Sequence, residues 1–325
     1  MVYGKHAVAA ALSLNTIATA RFTRTATEGG IKIAIHTDPR RKRCGGENDA
    51  KEDARLHQAV KAIAVDIDPS AQGLLELWVQ GTVPEGAGLG SSAALSVACA
   101  AAIHDVLQGF LCIQRDAWCA RINKAALAAE HVFHENPSGV DNTIATYGGA
   151  VLFAKGETPK HFSVASSGSG VRVIIIDTGV PRSTRDAILA VRQRLDADKP
   201  RLEAAFDRMD AIAMEAHGLL QARPLDFGKL DSLVDENHRI LCDVLGVGHP
   251  SLDKAVSICA DAGIHVKLTG AGCGGCVFGF IKDSFPPREL SALMSKLTNE
   301  GMKPSVVQLG AAGVCEVPTE PPPSA

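Results

Sequence analysis

One segment decides how the rest of the chain is interpreted, and it reads Pro84-Glu85-Gly86-Ala87-Gly88-Leu89-Gly90-Ser91-Ser92-Ala93-Ala94. It follows a strand-like run, Leu74 to Val83, and opens an alanine-rich helical pattern that extends to about Leu107. Three glycines present backbone N–H groups that no side chain shields, and the helix N-terminus favours an anion. A phosphate is therefore the expected ligand. The hydroxyls of Ser91 and Ser92 can cap the helix or bind Mg²⁺. A plain strand-to-helix connection with a serine cap fits the same residues, and the Gly-Lys-Ser/Thr ending of a Walker A loop is absent.

A second segment, Glu130 to Asn142, reads Glu-His-Val-Phe-His-Glu-Asn-Pro-Ser-Gly-Val-Asp-Asn. Pro137 and Gly139 predict a turn that ends the preceding helix and leaves Asp141 on irregular backbone, where catalytic groups often lie. Asp141 can accept a hydroxyl proton, and Glu130 can hold a metal ion. The alternative is that Asp141 caps a turn and Glu130 is a solvated helix charge.

A third segment, Lys267 to Cys276, has four glycines in the six positions from Gly270 to Gly275. Such a run predicts a tight, backbone-exposing loop that can fold over phosphates or a small substrate. Cys273 and Cys276 form a Cys-x-x-Cys without a second Cys or His pair nearby in the sequence. Small residues that fill a tight loop are therefore favoured over a zinc or redox site.

The segment Val180 to Arg185 predicts a strand that leads into a helix. Arg182 or Arg185 can neutralise a phosphate or carboxylate, and Thr184 can orient Asp141. A capped helix start with surface arginines explains the same residues.

The composition argues for two domains and against the nucleic-acid-binding classes of protein. The chain has 325 residues, which favours two domains that share a cleft. Thirty-three basic and 36 acidic residues give a net charge of −3, and aromatic residues make up 4%. These values argue against a general nucleic-acid-binding surface and a base-stacking platform. We expect no membrane span and no signal peptide, and nine cysteines, an odd number, indicate reduced thiols in the cytoplasm, with a peroxisomal location still open.

The periodicity predicts an α+β protein with a mixed first half and a helix-rich second half, divided near residues 179–185. The alanine-rich opening predicts a helix or buried turn before a strand, and Thr37 to Asp53 predicts an exposed loop. Val171 to Asp177 predicts a buried strand, because it is rich in β-branched residues. The proline-rich tail from Pro318 is predicted to be disordered.

Together the three segments, in this order and spacing, resemble the GHMP kinase superfamily and, within it, the mevalonate kinase family. Gly88 to Ala93 (Gly-Leu-Gly-Ser-Ser-Ala) and Gly270 to Gly272 (Gly-Ala-Gly) match superfamily motifs. Four further segments are specific to the mevalonate kinases: Asn136 to Asn142, Val180 to Arg185, Lys267 to Gly272 and Leu245 to Leu252. The resemblance covers Val2 to about Val314.

The resemblance implies a two-domain GHMP kinase fold with its active site in the cleft between an N-terminal domain (1–180) and a C-terminal domain (181–317), followed by a tail (318–325). It implies ATP-dependent phosphorylation of the 5-hydroxyl of mevalonate in isoprenoid precursor synthesis, with Asp141 as the base, Arg182 and Thr184 in support, and Mg²⁺ on Ser92 and Glu130. The nucleotide-binding residues it implies are Glu85, Gly86, Ala87, Gly88, Leu89, Gly90, Ser91, Ser92, Ala93, Gly270, Ala271 and Gly272. A homodimer is a further inherited expectation.

The N-terminus departs from the family pattern, whose opening strand reads roughly Pro-Gly-Lys-x-x-Leu-x-Gly-Glu-His-Ala-Val-Val before a His- or Tyr-Gly-Lys turn. Gly4 to Val8 can mimic Gly-Glu-His-Ala-Val, or Val2 to Lys5 can match the later turn; the second register continues without a gap and is preferred. Under either register the family's catalytic lysine has no counterpart in these 325 residues, and Lys5 is not a substitute. We therefore expect weak activity or low solubility. A catalytically impaired homologue, or another GHMP kinase of the galactokinase or phosphomevalonate kinase type, is the alternative.

Overall fold

The computed structural model describes residues 4–25, 30–37, 47–84, 86–109, 114–134, 137–165, 170–181 and 184–317. In chain order the strands are β1 (Ala7–Ala10), β2 (Thr16–Arg24), β3 (Ile31–Thr37), β4 (Gly73–Gly81), β5 (Ala150–Phe153), β6 (Lys160–Phe162), β7 (Val171–Asp177), β8 (Lys267–Leu268), β9 (Cys276–Ile281) and β10 (Lys303–Leu309). The helices are α1 (Glu47–Ile67), α2 (Ser91–Gln108), α3 (Arg115–Phe133), α4 (Val140–Tyr147), α5 (Thr184–Ala197), α6 (Lys199–Gln221), α7 (Phe227–Arg239), α8 (Pro250–Asp261) and α9 (Pro287–Asn299), with a π-helical segment at Ile240–Val244.

The chain forms two compact units that do not follow its linear order. The first unit comprises Met1–Ser13, Pro84–Leu89 and Gly149–Ala311, and the second comprises Leu14–Val83, Gly90–Gly148 and Ala312–Ala325. The α+β composition is confirmed, whereas the division at residue 180 stays a prediction.

The second unit packs a three-stranded sheet, in the order β2-β4-β3, against α1 and α2, and α3 packs on these two helices. Strand β4 is antiparallel to β2 and parallel to β3. Its side chains alternate between the two faces of the sheet, so Leu75 and Leu77 are fully buried. Ile63, Ile103 and Ile122 of the three helices join them in one hydrophobic core. This core fixes the positions of α2 and α3, which carry candidate site residues.

The first unit contains a four-stranded sheet, in the order β10-β7-β9-β8, and a three-stranded sheet, in the order β1-β5-β6. The predicted buried strand is confirmed as β7, which pairs antiparallel with β10 on one side and β9 on the other. Ile174 and Ile176 of β7 are fully buried in a core that includes residues of α5, α6, α8 and α9.

Three sequence-based predictions are wrong. The alanine-rich opening forms strand β1, because its backbone pairs antiparallel with β5. Residues 47–53 of the predicted exposed loop belong to α1. Asp141 lies in the first turn of α4 and not on irregular backbone, because the chain enters a new helix directly after Gly139.

The sequence reasoning did not foresee β3, α9 or β10. The proline-rich tail from Pro318 lies outside the described residues. Among the described helices, none combines the length and apolar character required to cross a membrane.

Candidate active site

The glycine loop before α2 has the backbone conformation that its sequence predicts. Gly86, Gly88 and Gly90 have φ angles of +68°, +87° and +71°, in the region that favours glycine. Between them Ala87 is buried and anchors the loop. Gly90 is the N-cap of α2, and no side chain in the described part of the chain caps this helix, so the alternative of a serine cap is wrong.

The N-terminus of α2 offers several backbone donors that make no hydrogen bond within the helix. The first hydrogen bond of the helix runs from the Ala94 N–H to the Gly90 carbonyl at 3.0 Å. The N–H groups of Ser91, Ser92 and Ala93 precede it and have no helical partner. These donors and the helix dipole can bind an anionic group. Glu85 lies outside the described residues, and Leu89 and Gly90 are half-buried.

A buried carboxylate lies beside this helix start. Glu130 of α3 is only 3% exposed. The Ser92 hydroxyl donates to its Oε2 at 3.2 Å, and the Ser96 hydroxyl donates to its Oε1 at 3.1 Å. His134 Nε2 lies 3.8 Å from Oε2 and 3.4 Å from Ser92 Oγ. The interpretation of Glu130 as a solvated helix charge is therefore wrong.

The environment of Glu130 opposes its negative charge. Burial raises the pKa of its carboxyl above the ordinary value of 4.5, and the nearby charge of Asp141 adds to this rise. His134 and the hydroxyls of Ser96 and Ser92 act in the other direction. A cation bound at Glu130 would relieve this unfavourable burial.

Asp141 lies next to the same helix start. A Cβ atom added to Gly90 would lie 3.7 Å from both Cβ and Cγ of Asp141, so the aspartate side chain contacts the N-cap of α2. Helix α4 begins after Gly139, which has the left-handed conformation with a φ of +78°. Asp141 is exposed, so its carboxylate is accessible to a small molecule. The second unit thus brings Ser92, Glu130 and Asp141 together.

Oxygen atoms supply the donors at this point. The Glu130 carboxylate, the Ser92 hydroxyl and the nearby Asp141 carboxylate are the hard ligands that Mg²⁺ prefers. These residues therefore fit the magnesium ion that the sequence predicts.

Sequence reasoning missed Ser96 and His134. Ser96 follows Ser92 by four positions on α2, and His134, the C-cap of α3, follows Glu130 by four positions. Residues at this spacing share a helix face, so the pattern contained a signal for Ser96, whereas His134 lies just past the helix end, where that rule does not apply.

The predicted loop at Gly270 to Gly275 belongs to the first unit. Gly270 and Gly272 have φ angles of +75° and +82°. The Cys273 N–H donates to the Val247 carbonyl at 2.8 Å, and the Gly275 N–H donates to the Val180 carbonyl at 2.9 Å. The loop is therefore fixed by its backbone to two neighbouring segments, while Gly270 remains exposed and Ala271 half-buried.

Two supporting residues cannot be placed in this geometry. Arg182 lies outside the described residues, and Thr184 marks the first residue of α5.

Comparisons with known proteins identify the family. The profiles described as GHMP kinases N terminal domain and GHMP kinases C terminal match residues 54–149 and 216–297. Mevalonate kinase of Mus musculus is 37% identical over 256 residues, which cover 74% of this chain and 63% of the mouse protein. The chain therefore spans less than two thirds of the length of that relative.

Two further matches cover a larger share of the related protein's own length. The crystal structure of L. major mevalonate kinase in complex with R-mevalonate has a TM-score of 0.74 at 23% identity and covers 96% of this chain and 92% of that one. Mevalonate kinase of Archaeoglobus fulgidus is 30% identical over 292 residues, 88% of either protein. On this similarity the chain belongs to the mevalonate kinase family of the GHMP kinases.

Proposed function

We propose that this protein transfers the γ-phosphoryl group of ATP to the 5-hydroxyl of mevalonate. The observation that carries the proposal is the proximity of an exposed carboxylate, Asp141, to a buried carboxylate, Glu130, at the N-terminus of α2. Family membership supports both ATP and a small-molecule substrate. The L. major relative, whose structure holds R-mevalonate, supports the choice of substrate.

In the proposed reaction Asp141 accepts the proton of the substrate hydroxyl as its oxygen attacks the γ-phosphorus. Its exposure would allow the hydroxyl to reach it, and its contact with Gly90 supports a location next to the expected phosphate site. Phosphoryl transfer requires mainly positioning and charge stabilisation from the protein. The N–H groups at the start of α2 and the glycine loop would hold the phosphates.

Ser92 and Glu130 would hold Mg²⁺, and Asp141 is near enough to affect the charge of Glu130. When bound, the ion would neutralise charge on the phosphates. The Gly270 to Gly272 turn would shape the nucleotide or substrate site, with Arg182 and Thr184 in support. A homodimer and a cytoplasmic location remain predictions.

The test is Asp141→Asn, assayed by ADP release with mevalonate and ATP. Because a general base contributes about 10²–10⁴-fold to rate, we expect kcat to fall by at least about 10²-fold while ATP binding changes little. Asp116→Asn is the matched control, since Asp116 is also exposed and also lies in the first turn of a helix, α3.

An Asp141→Asn variant with near wild-type turnover would refute the base assignment. Turnover of galactose in place of mevalonate would point to another GHMP kinase. ATP binding without turnover of either sugar or mevalonate would favour a catalytically impaired homologue.

A further inference from the structure

A histidine, a cysteine and an aspartate converge in the first unit, at a point that the proposed kinase reaction does not use. One ligand atom from each of His238, Cys242 and Asp253 lies within 4.8 Å of the other two. His238 Nε2 is 3.6 Å from Cys242 Sγ. Within the described ranges this is the one cluster of three His, Cys, Asp or Glu side chains with such spacing.

The fold builds this cluster from three helical segments that follow one another along the chain. His238 lies in the last turn of α7, and Cys242 lies four residues later in the π-helical segment. A π-helical turn is rare and often marks a functional position. Asp253 comes from the first turn of α8. A Cβ atom at Gly248 would lie 3.2 Å from Cys242 Sγ, so glycine at this position leaves space beside the sulfur.

The geometry points to a binding site for a divalent cation of the Zn²⁺ class on His238, Cys242 and Asp253, with solvent as the fourth ligand. Zinc binds cysteine sulfur at about 2.3 Å and histidine nitrogen at about 2.0–2.1 Å, so a tetrahedral ion separates these two atoms by about 3.6 Å. The observed distance between Sγ and Nε2 has that value. The mixed sulfur, nitrogen and oxygen donors favour Zn²⁺ over Mg²⁺ or Ca²⁺.

Burial and exposure of the three side chains suit such a site. His238 and Cys242 are half-buried, which limits their alternative positions, whereas Asp253 is exposed. The exposed carboxylate can rotate towards the other two ligands and gives the ion a route from solvent.

Two neighbours limit the affinity. The Leu268 N–H donates to His238 Nδ1 at 3.3 Å, a bond that a neutral imidazole must give up when Nε2 binds a metal and the ring proton moves to Nδ1. The positive charge of Lys267 opposes a metal ion at this site. Burial lowers the pKa of the Lys267 amine to about 8, which makes it easier for the amine to lose its proton and this charge. We therefore expect a reversible site and not a permanently loaded structural one.

The test uses the full chain, reduced and freed of metal, titrated with Co²⁺ and then with Zn²⁺. Wild-type protein should give the visible spectrum of tetrahedral Co²⁺ with a sulfur-to-cobalt charge-transfer band, and Zn²⁺ should displace it. Cys242→Ser should remove the charge-transfer band. Asp253→Asn should weaken Zn²⁺ binding by at least about tenfold, and because Asp253 is exposed this variant should fold normally.

Two controls separate ligation from general charge or thiol effects. Asp243→Asn removes another exposed acid whose charge acts on Cys242, and Cys315→Ser removes an exposed thiol outside the cluster. Both should bind Zn²⁺ within about twofold of wild type. The proposal is overturned if wild type gives no tetrahedral Co²⁺ spectrum, or if Cys242→Ser or Asp253→Asn binds Zn²⁺ as tightly as wild type. Neither readout depends on kinase activity.

Discussion

Substitution of Gly272 by alanine tests whether the Gly270 to Gly275 loop is held as rigidly as its contacts indicate. A Cβ atom at this position would lie 2.3 Å from the Val247 carbonyl oxygen and 2.9 Å from Val247 Cβ. Val247 cannot yield easily, because it is only 2% exposed and its carbonyl accepts the Cys273 N–H at 2.8 Å. The added methyl group must therefore displace backbone in the loop or in the segment around Val247.

Gly263 supplies the matched control. Its φ of +73° is close to the +82° of Gly272, but nothing lies within 4 Å of an added Cβ. The left-handed conformation costs an alanine about 1–2 kcal/mol at either position. Overpacking adds about 1–3 kcal/mol at Gly272 only. We expect Gly263→Ala to lower the free energy of unfolding by about 1–2 kcal/mol and Gly272→Ala by about 2–5 kcal/mol.

Urea unfolding measures both losses, and steady-state kinetics with mevalonate and ATP measure the effect on the site. Gly272→Ala should raise KM for one substrate or lower kcat at a temperature where it remains folded, whereas Gly263→Ala should leave both constants unchanged. Equal losses of stability in the two variants would refute the argument from close approach. Unchanged kinetics in a destabilised Gly272→Ala variant would separate the loop from the active site.

Two further predictions concern carboxylates. Glu130→Gln keeps two hydrogen-bonding groups for the serine hydroxyls and removes a buried charge. The free energy of unfolding should therefore stay equal or rise, while kcat should fall about 10²-fold or more. A loss of stability above about 1 kcal/mol in urea unfolding would contradict this prediction. Asp210 accepts the His6 N–H at 2.6 Å, which holds its pKa below the ordinary value of 3.8. This stabilisation is present above that value and is lost as pH falls through the lower folded-state pKa. Asp210→Asn should therefore cost about 1 kcal/mol near neutral pH, and the difference from wild type should disappear in acid; a difference that is independent of pH would refute it.

Local sequence predicts the elements whose own residues determine them. The β-branched run from Val171 to Asp177 forms β7, and the alanine-rich pattern after Gly90 forms α2. Strand β1 could not be predicted in this way, because Ala7 to Ala10 have little intrinsic preference for a strand. Their conformation depends on pairing with Ala150 to Phe153, far along the chain.

The same distinction applies to α4. Pro137 and Gly139 indicate correctly that a helix ends before them. The left-handed Gly139 also starts a new helix, because its φ of +78° directs the chain into α4 at Val140. A glycine between two helical segments fits either a loop or an N-cap, and only the packing of the following residues decides between them. Five residues of α4 are buried, namely Val140, Asn142, Thr143, Ile144 and Thr146.

Glu130 shows where function and stability diverge in this site. Local pattern alone fits an exposed charge at the end of a helix, yet the residue is 3% exposed and burial raises its pKa. Two serine hydroxyls satisfy both carboxylate oxygens but do not neutralise the charge. An apolar side chain in this position would avoid that cost. Perturbed carboxylates of this kind are concentrated at functional sites, where the charge serves a ligand. The unfavourable burial of Glu130, taken with the adjacent Asp141 and the N–H groups at the start of α2, therefore supports the proposal that this part of the fold binds a cation and a phosphate.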